Sequence, residues 1–175
     1  MYHGKKVTLR ALSPDDLPHI MDYVNDYETY STFTDSAPRP KTEDFQAHWL
    51  KHSTREDMIT FAIADKTTDQ FLGTIQLRSI DRISHRSFFS IILHPQARGK
   101  GYGTDALRLL LAFAFEELNL HKITLTVYQS NEGGRRLYEK CGFQYEGTLR
   151  QQVYRQGHYD DQLVFSILKR EYGGV

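Results

Sequence analysis

Residues 98–104 read Arg-Gly-Lys-Gly-Tyr-Gly-Thr, and no other stretch restricts the fold as much. They follow an apolar segment stopped by Pro95. They precede the most regular helical pattern of the chain: Leu107, Leu110, Leu111, Ala114, Phe115 and Leu118. A strand, a tight turn and a long helix must therefore come in direct succession. Glycines let the backbone bend sharply and approach a ligand with no Cβ in the way. Amides at a helix N-terminus favour anions, and Arg98 and Lys100 add two positive charges. The reading is a diphosphate cradle built from Gly99, Lys100, Gly101, Tyr102, Gly103 and Thr104.

Two other phosphate patterns do not fit. The P-loop needs a hydroxyl residue after its lysine, whereas Gly101 follows Lys100. The dinucleotide fingerprint needs its third glycine one residue later and a carboxylate at the end of the next strand. That strand here ends in Val127-Tyr128.

Alternation and turn signals predict strands at 7–11, 59–63, 71–77, 87–93, 123–127, 143–154 and 159–168. One helix starts at the N-cap Ser13 and runs to about Val24. A second spans 42–53, with Phe45, Trp49 and His48 expected inward. The third opens at the glycine turn, and the fourth, 131–140, stops at Gly142. Residues 25–41 read as a loop, and Gln156-Gly157 marks the last hairpin. The order β-α-α-β-β-β-α-β-α-β-β is a mixed α/β fold with about four helices. Its fourth and fifth strands, joined through a helix, should run parallel.

Composition narrows the function classes. A length of 175 residues suits one domain, 1–175, and 13% aromatic residues excludes disorder as the main state. Lys+Arg and Asp+Glu are 22 each, so the net charge argues against a nucleic-acid or anionic-membrane binder. The longest apolar run, 109–115, is far short of the roughly 18 residues that span a bilayer. Residues 1–25 hold no leader-like apolar stretch, and the single Cys141 forms no internal disulfide. A cytoplasmic location is expected.

The turn also fits R-x-x-G-x-G, from Arg98 to Gly103. Residues 131–143 read Asn-Glu-Gly-Gly-Arg-Arg-Leu-Tyr-Glu-Lys-Cys-Gly-Phe, and residues 154–161 read Tyr-Arg-Gln-Gly-His-Tyr-Asp-Asp. On these three segments the chain resembles, over nearly its whole length, the GNAT acyl-CoA N-acyltransferases. It resembles most the branch with ribosomal-protein N-terminal and polyamine acetyltransferases. The resemblance implies a mostly antiparallel sheet whose parallel fourth and fifth strands splay apart. It implies acetyl-CoA as cosubstrate, no metal, a possible homodimer, and direct attack of an amine through a tetrahedral intermediate. It places a backbone donor for the developing oxyanion near Ile92 or Leu93, on an edge that also pairs with pantetheine. Tyr138 takes the proton-donor position. Asn131 would contact the cofactor, although it reads equally as a helix N-cap. Arg136, with Arg135, could reach phosphates or form a solvated face.

Two departures stand out. Phe88 occupies the position where many relatives carry a glutamate that takes the amine proton; Asp160, Asp161, His85 or a water chain are the remaining candidates. Gly133-Gly134 replaces helix-favouring residues and could admit the cofactor closely.

Residues 13–35 hold Asp15, Asp16, Asp22, Asp26, Glu28 and Asp35 with Tyr23, Tyr27, Tyr30 and Phe33, and no Lys or Arg. Such a rim would attract a cationic amine, such as a polyamine, an aminoglycoside-like molecule or a peptide N-terminus; an ordinary solvated helix and loop is the alternative. His48 and His52 lack a third partner for a metal, and Cys141 reads as a partly buried thiol. Two other functions stay open: an acyl-CoA-binding or amine-sensing module without efficient turnover, which Phe88 favours, and a nicotinamide-dependent oxidoreductase.

Overall fold

A computed structural model of the chain describes residues 1–29 and 39–173. Eight strands form one sheet: β1 (Tyr2–His3), β2 (Val7–Arg10), β3 (Met58–Asp65), β4 (Phe71–Asp81), β5 (Arg86–Leu93), β6 (Lys122–Tyr128), β7 (Gln144–Arg155) and β8 (His158–Leu168). Their order is β1-β2-β3-β4-β5-β6-β8-β7. All neighbours pair antiparallel except β5 and β6, which are parallel. These are the fourth and fifth predicted strands, renumbered because the two-residue β1 escaped the sequence pattern.

Four α-helices lie wholly within the described residues: α1 (Leu17–Val24), α2 (Glu43–Lys51), α3 (Tyr102–Ala112) and α4 (Glu132–Lys140). Ser13 and Asp16 form a reciprocal cap, but the chain first makes a tight 3-10 turn over Pro14–Asp16 before α1 begins. Thr42 caps α2 by accepting the Phe45 amide at 3.2 Å. The face of α2 differs from the expected one. Gln46 is buried and Trp49 and Leu50 pack inward, while Phe45 is 54% exposed and His48 lies outside with His52. At helical spacing, a face centred on 46, 49 and 50 turns 45 and 48 to solvent. The final hairpin turns through Gln156 and Gly157, both with positive φ, as the twist of paired strands requires.

Strand alternation divides the residues of the sheet between its two faces. Phe89, Ile91 and Leu93 of β5, Ile123, Leu125 and Val127 of β6, and Leu163, Phe165 and Ile167 of β8 join the main core with α3 and α4. Ile92 faces the other way, against Ile20 and Tyr23 of α1 and Trp49 and Leu50 of α2. The sheet thus separates an α3/α4 face from an α1/α2 face. No described helix is long and apolar enough to cross a membrane.

The parallel pair is short. Only Arg86, Ser87 and Phe88 pair with Lys122, Ile123 and Thr124. Beyond Phe88 the two strands diverge, while β5 stays paired to β4 as far as Leu93. The splay implied by the family resemblance is present and opens the sheet.

Candidate active site

A cavity of ≈570 Å³ fills the splay. Ile91, Gly101, Gly103, Leu137 and Tyr138 line it from the α3/α4 side, and Arg78, Ser90, Thr126 and Gln162 from the α1/α2 side. Alternation on each strand assigns these sides, so the cavity passes through the sheet. Its α3/α4 mouth begins at the glycine turn.

In that turn, Gly99 and Gly101 have φ of 74° and 84°, a conformation that glycine adopts without strain. α3 starts directly after Gly101, so its first amides have no intrahelical acceptors. Gly99, Gly101, Gly103 and Thr104 line the cavity. Lys100 and Tyr102 instead line a second cavity of ≈510 Å³ with His19 and Asp22. The Tyr102 hydroxyl donates to Asp65 Oδ2 at 3.2 Å. Arg98 lines the main cavity, but its guanidinium is engaged. Nε donates to the Leu93 carbonyl at 3.2 Å and Nη2 to Thr29 Oγ1 at 3.0 Å. Its side chain braces β5 against the segment after α1.

On α4, Asn131 Oδ1 accepts the Gly134 amide at 2.9 Å, which realises the N-cap reading. Asn131 also lines the cavity, so cofactor contact stays compatible. A Cβ on Gly134 would press to 3.1 Å from Asn131 Nδ2, and both Gly133 and Gly134 face the cavity. Gly134 therefore makes room for the cap, and neither glycine puts a side chain into the cavity. Arg136 lines the cavity, and its guanidinium lies 3.7 Å from exposed Glu132. The buried Nε of Arg135 has no hydrogen-bond partner among the described residues.

The direction of the β5 backbone groups follows from register. The His94 amide donates to the Leu72 carbonyl at 2.8 Å, and pairing runs regularly from Leu93↔Gly73 through Ile92↔Thr74 to Ile91↔Ile75. Antiparallel pairs alternate between hydrogen-bonded and open. Ile92 is thus turned with its N–H and C=O toward Thr74 of β4. The backbone groups of Ile91 and Leu93 face the splay, where the Leu93 carbonyl already meets Arg98. Ile92 still lines the cavity.

Tyr138 is buried on the α3/α4 side, with its ring 5.8 Å from Phe89 and 6.1 Å from Phe143. Burial pushes its phenol up to about 12, so it stays protonated at neutral pH. Burial also raises the Cys141 thiol, which disfavours the thiolate that nucleophilic chemistry would need.

Other candidates are not brought together. His85 sits in the turn before β5, away from the open part of the splay, and Asp161 Oδ1 accepts the Gln151 amide at 2.7 Å. Asp160 shares a strand face with Gln162 but does not line the cavity. Of the acidic rim, Asp16 is buried and bound to Arg10 at 2.9 Å, Asp22 faces the second cavity, and Asp26 accepts the Thr29 amide at 2.8 Å. Tyr30, Phe33 and Asp35 lie outside the described residues. No group of three potential metal ligands occurs among the described residues. Sequence reading missed Arg78, Ser90, Thr126 and Gln162. Arg78 lies beyond the predicted strand 71–77, because β4 runs on to Asp81, and only the splay makes the face these four share part of a site.

The GNAT acetyltransferase domain model matches residues 6–144. The chain is 31% identical over 169 residues to the spermidine N(1)-acetyltransferase of Vibrio cholerae, covering 97% of this chain and 96% of that protein. It is 30% identical over 169 residues to a prophage-derived N-acetyltransferase of Bacillus subtilis, covering 97% and 93%. Among solved structures, a crystal structure of spermidine N-acetyltransferase from Vibrio cholerae, in complex with CoA and spermine, is similar with a TM-score of 0.86 at 32% identity. That match covers 95% of this chain and 97% of that one.

Proposed function

The chain belongs to the GNAT acetyltransferase family, and from that premise we propose that it moves an acetyl group from acetyl-CoA to a primary amine by direct attack. A primary amine is the chemistry common to the polyamines in the relatives' names and to peptide N-termini. The observation that carries the reading is the cavity through the sheet, with the glycine turn at one end and polar side chains on the far face.

The residues present fit coenzyme A. The backbone of Gly99, Gly101, Gly103 and Thr104 would hold its diphosphate at the α3 N-terminus. The free edge of β5 would pair with the amides of pantetheine, which brings the acetyl group bound as a thioester. The Ile91 and Leu93 amides are the donors aimed at the splay, so one of them, rather than that of Ile92, would stabilise the oxyanion. Tyr138, kept protonated by burial, would give its proton to the leaving thiolate. A thiol of pKa about 8.5 leaves readily, so the proton assists rather than decides the step.

Arg98 would act by bracing the Leu93 carbonyl, and Lys100 and Tyr102 through their backbone alone. Calorimetry with CoA and a thiol-release assay over a panel of amines test the proposal. CoA uptake together with CoA release on adding an amine is expected. Absence of CoA uptake would overturn it, and uptake without release from any amine would favour a binding module instead.

A further inference from the structure

We propose that the acceptor is a small primary amine carrying its own anionic group, a carboxylate or a phosphate, and that Arg78 determines this specificity. The inference rests on the acetyl-transfer reading above and names its acceptor class.

Arg78 lies on β4 opposite Phe88 of β5, at the closed end of the splay. With Ser90, Thr126 and Gln162 it lines the α1/α2 side of the cavity, the side away from Tyr138. Its guanidinium stands 5.9 Å from the centre of the Phe88 ring and makes no ion pair or hydrogen bond among the described residues. Among the described residues no Asp or Glu lines this cavity, whereas Arg78, Arg98, Arg136 and Lys140 do. Arg98 is braced against Leu93 and Thr29, and Arg136 and Lys140 belong to α4 on the other face. Among the described residues that line the α1/α2 side, Arg78 is thus the cation that an acceptor would meet.

Such a mouth suits a polyamine poorly. A second ammonium group would enter beside the Arg78 guanidinium, and none of the described lining residues is a carboxylate to receive it. Ser90 adds to the polar side. Gln76 Nε2 donates to Ser90 Oγ at 2.7 Å, which leaves the Ser90 hydroxyl proton free to be donated into the cavity. The mouth therefore presents a hydroxyl donor and a guanidinium fork, the geometry that receives a carboxylate or phosphate.

The same charge addresses the missing carboxylate at Phe88. A cation near an amine disfavours the ammonium form, so the acceptor is drawn in neutral, with its proton already left to water. An anion on the acceptor then pairs with Arg78 while the neutral nitrogen faces the splay.

The test compares kcat/KM at saturating acetyl-CoA for β-alanine, β-alanine amide, phosphoethanolamine, ethanolamine, ethylenediamine and spermidine. The proteins are the wild type, Arg78→Met and Arg78→Glu. The wild type should prefer β-alanine or phosphoethanolamine over its neutral counterpart by about tenfold to a hundredfold, the range of one charge-assisted contact. Which of the two leads tells carboxylate from phosphate. Arg78→Met should erase the preference and Arg78→Glu should turn it toward ethylenediamine and spermidine. Spermidine leading in the wild type, an unchanged order in Arg78→Met, or no turnover of either anionic amine would each overturn the assignment. Calorimetric CoA uptake separates the two levels. Uptake retained with such a result sinks only the acceptor class, while no uptake and no CoA release with any amine sinks acetyl transfer as well.

Discussion

The backbone of Gly73 packs so tightly on the carbonyl of Ile92 that a Cβ at Gly73 would overlap that oxygen. The contact holds β4 against β5 where β5 has already parted from β6. Gly73→Ala must push β5 toward the splay or lose local pairing. The expected cost is about 1–3 kcal/mol, read as a fall of several degrees in Tm. Turnover should fall with it, because the displaced strand carries the Ile91 and Leu93 amides. A thermal melt and kcat at a temperature where both proteins are folded check this; unchanged values in both would contradict it.

Tyr138→Phe should lower kcat about tenfold to a hundredfold, with the Kd for acetyl-CoA unchanged, since the ring stays and only the proposed proton donor is lost. Because burial holds the phenol near about 12, wild-type kcat should show no loss from this group up to about pH 10, where an ordinary tyrosine would be half ionised. Stability carries the same signature. The unfolded tyrosine ionises near pH 10 and the folded one later. Its contribution is thus complete below about pH 10 and declines by about 1.4 kcal/mol per pH unit as pH climbs toward the folded value. Denaturant melts from pH 9 to 12 should show a shallower decline in Tyr138→Phe. Equal slopes would place the tyrosine in a wetter setting.

Gly101→Val should reduce CoA affinity at least about a hundredfold. The cause is conformational rather than a clash inside the turn. Gly101 has a φ of 84°, which a β-branched residue does not adopt, and its nearest neighbour is Lys6 Nζ at 3.4 Å from the Cβ position. The turn must open and re-aim its amides. Calorimetry on the folded variant, checked by circular dichroism, measures the loss. Wild-type affinity would show that the diphosphate sits elsewhere.

The glycine turn, the helix after it and the alternating strands were legible because each is a local pattern with one physical solution. Asn131 was readable as a cap for the same reason. Three things were not legible, and each depends on how elements meet. Phe45 and Trp49 share a helix, and only the sheet beneath decides that Trp49 goes in and Phe45 out. Whether Ile92 or its neighbours offer a free amide depends on pairing with Thr74, on another strand. The acidic residues after Ser13 form a run in sequence, but folding sends Asp16 to Arg10 and Asp22 to the second cavity. Arg78 lay just past the predicted strand 71–77, and only the longer β4 and the splay beside it bring it to the cavity.

Asp105 ties the N-terminal arm to the glycine turn, and Lys6 completes the tie. Asp105 accepts the amides of Lys5, Lys6 and Val7 at 3.2, 2.7 and 3.0 Å. Lys6 Nζ then donates to the Lys100 carbonyl at 2.8 Å. That bond holds a carbonyl within the turn in place and sets a cation behind Gly101. Lys6→Met keeps the apolar stem and removes only the charge and the donor. The KM for acetyl-CoA should rise about threefold to tenfold with kcat unchanged, the size of a partly screened contact. Added salt should shrink the difference, because the site is open to solvent. Acetyl-pantetheine, which has no diphosphate, should be used equally well by both proteins. A loss with acetyl-pantetheine as large as that with acetyl-CoA would instead trace the effect to general loosening of the arm.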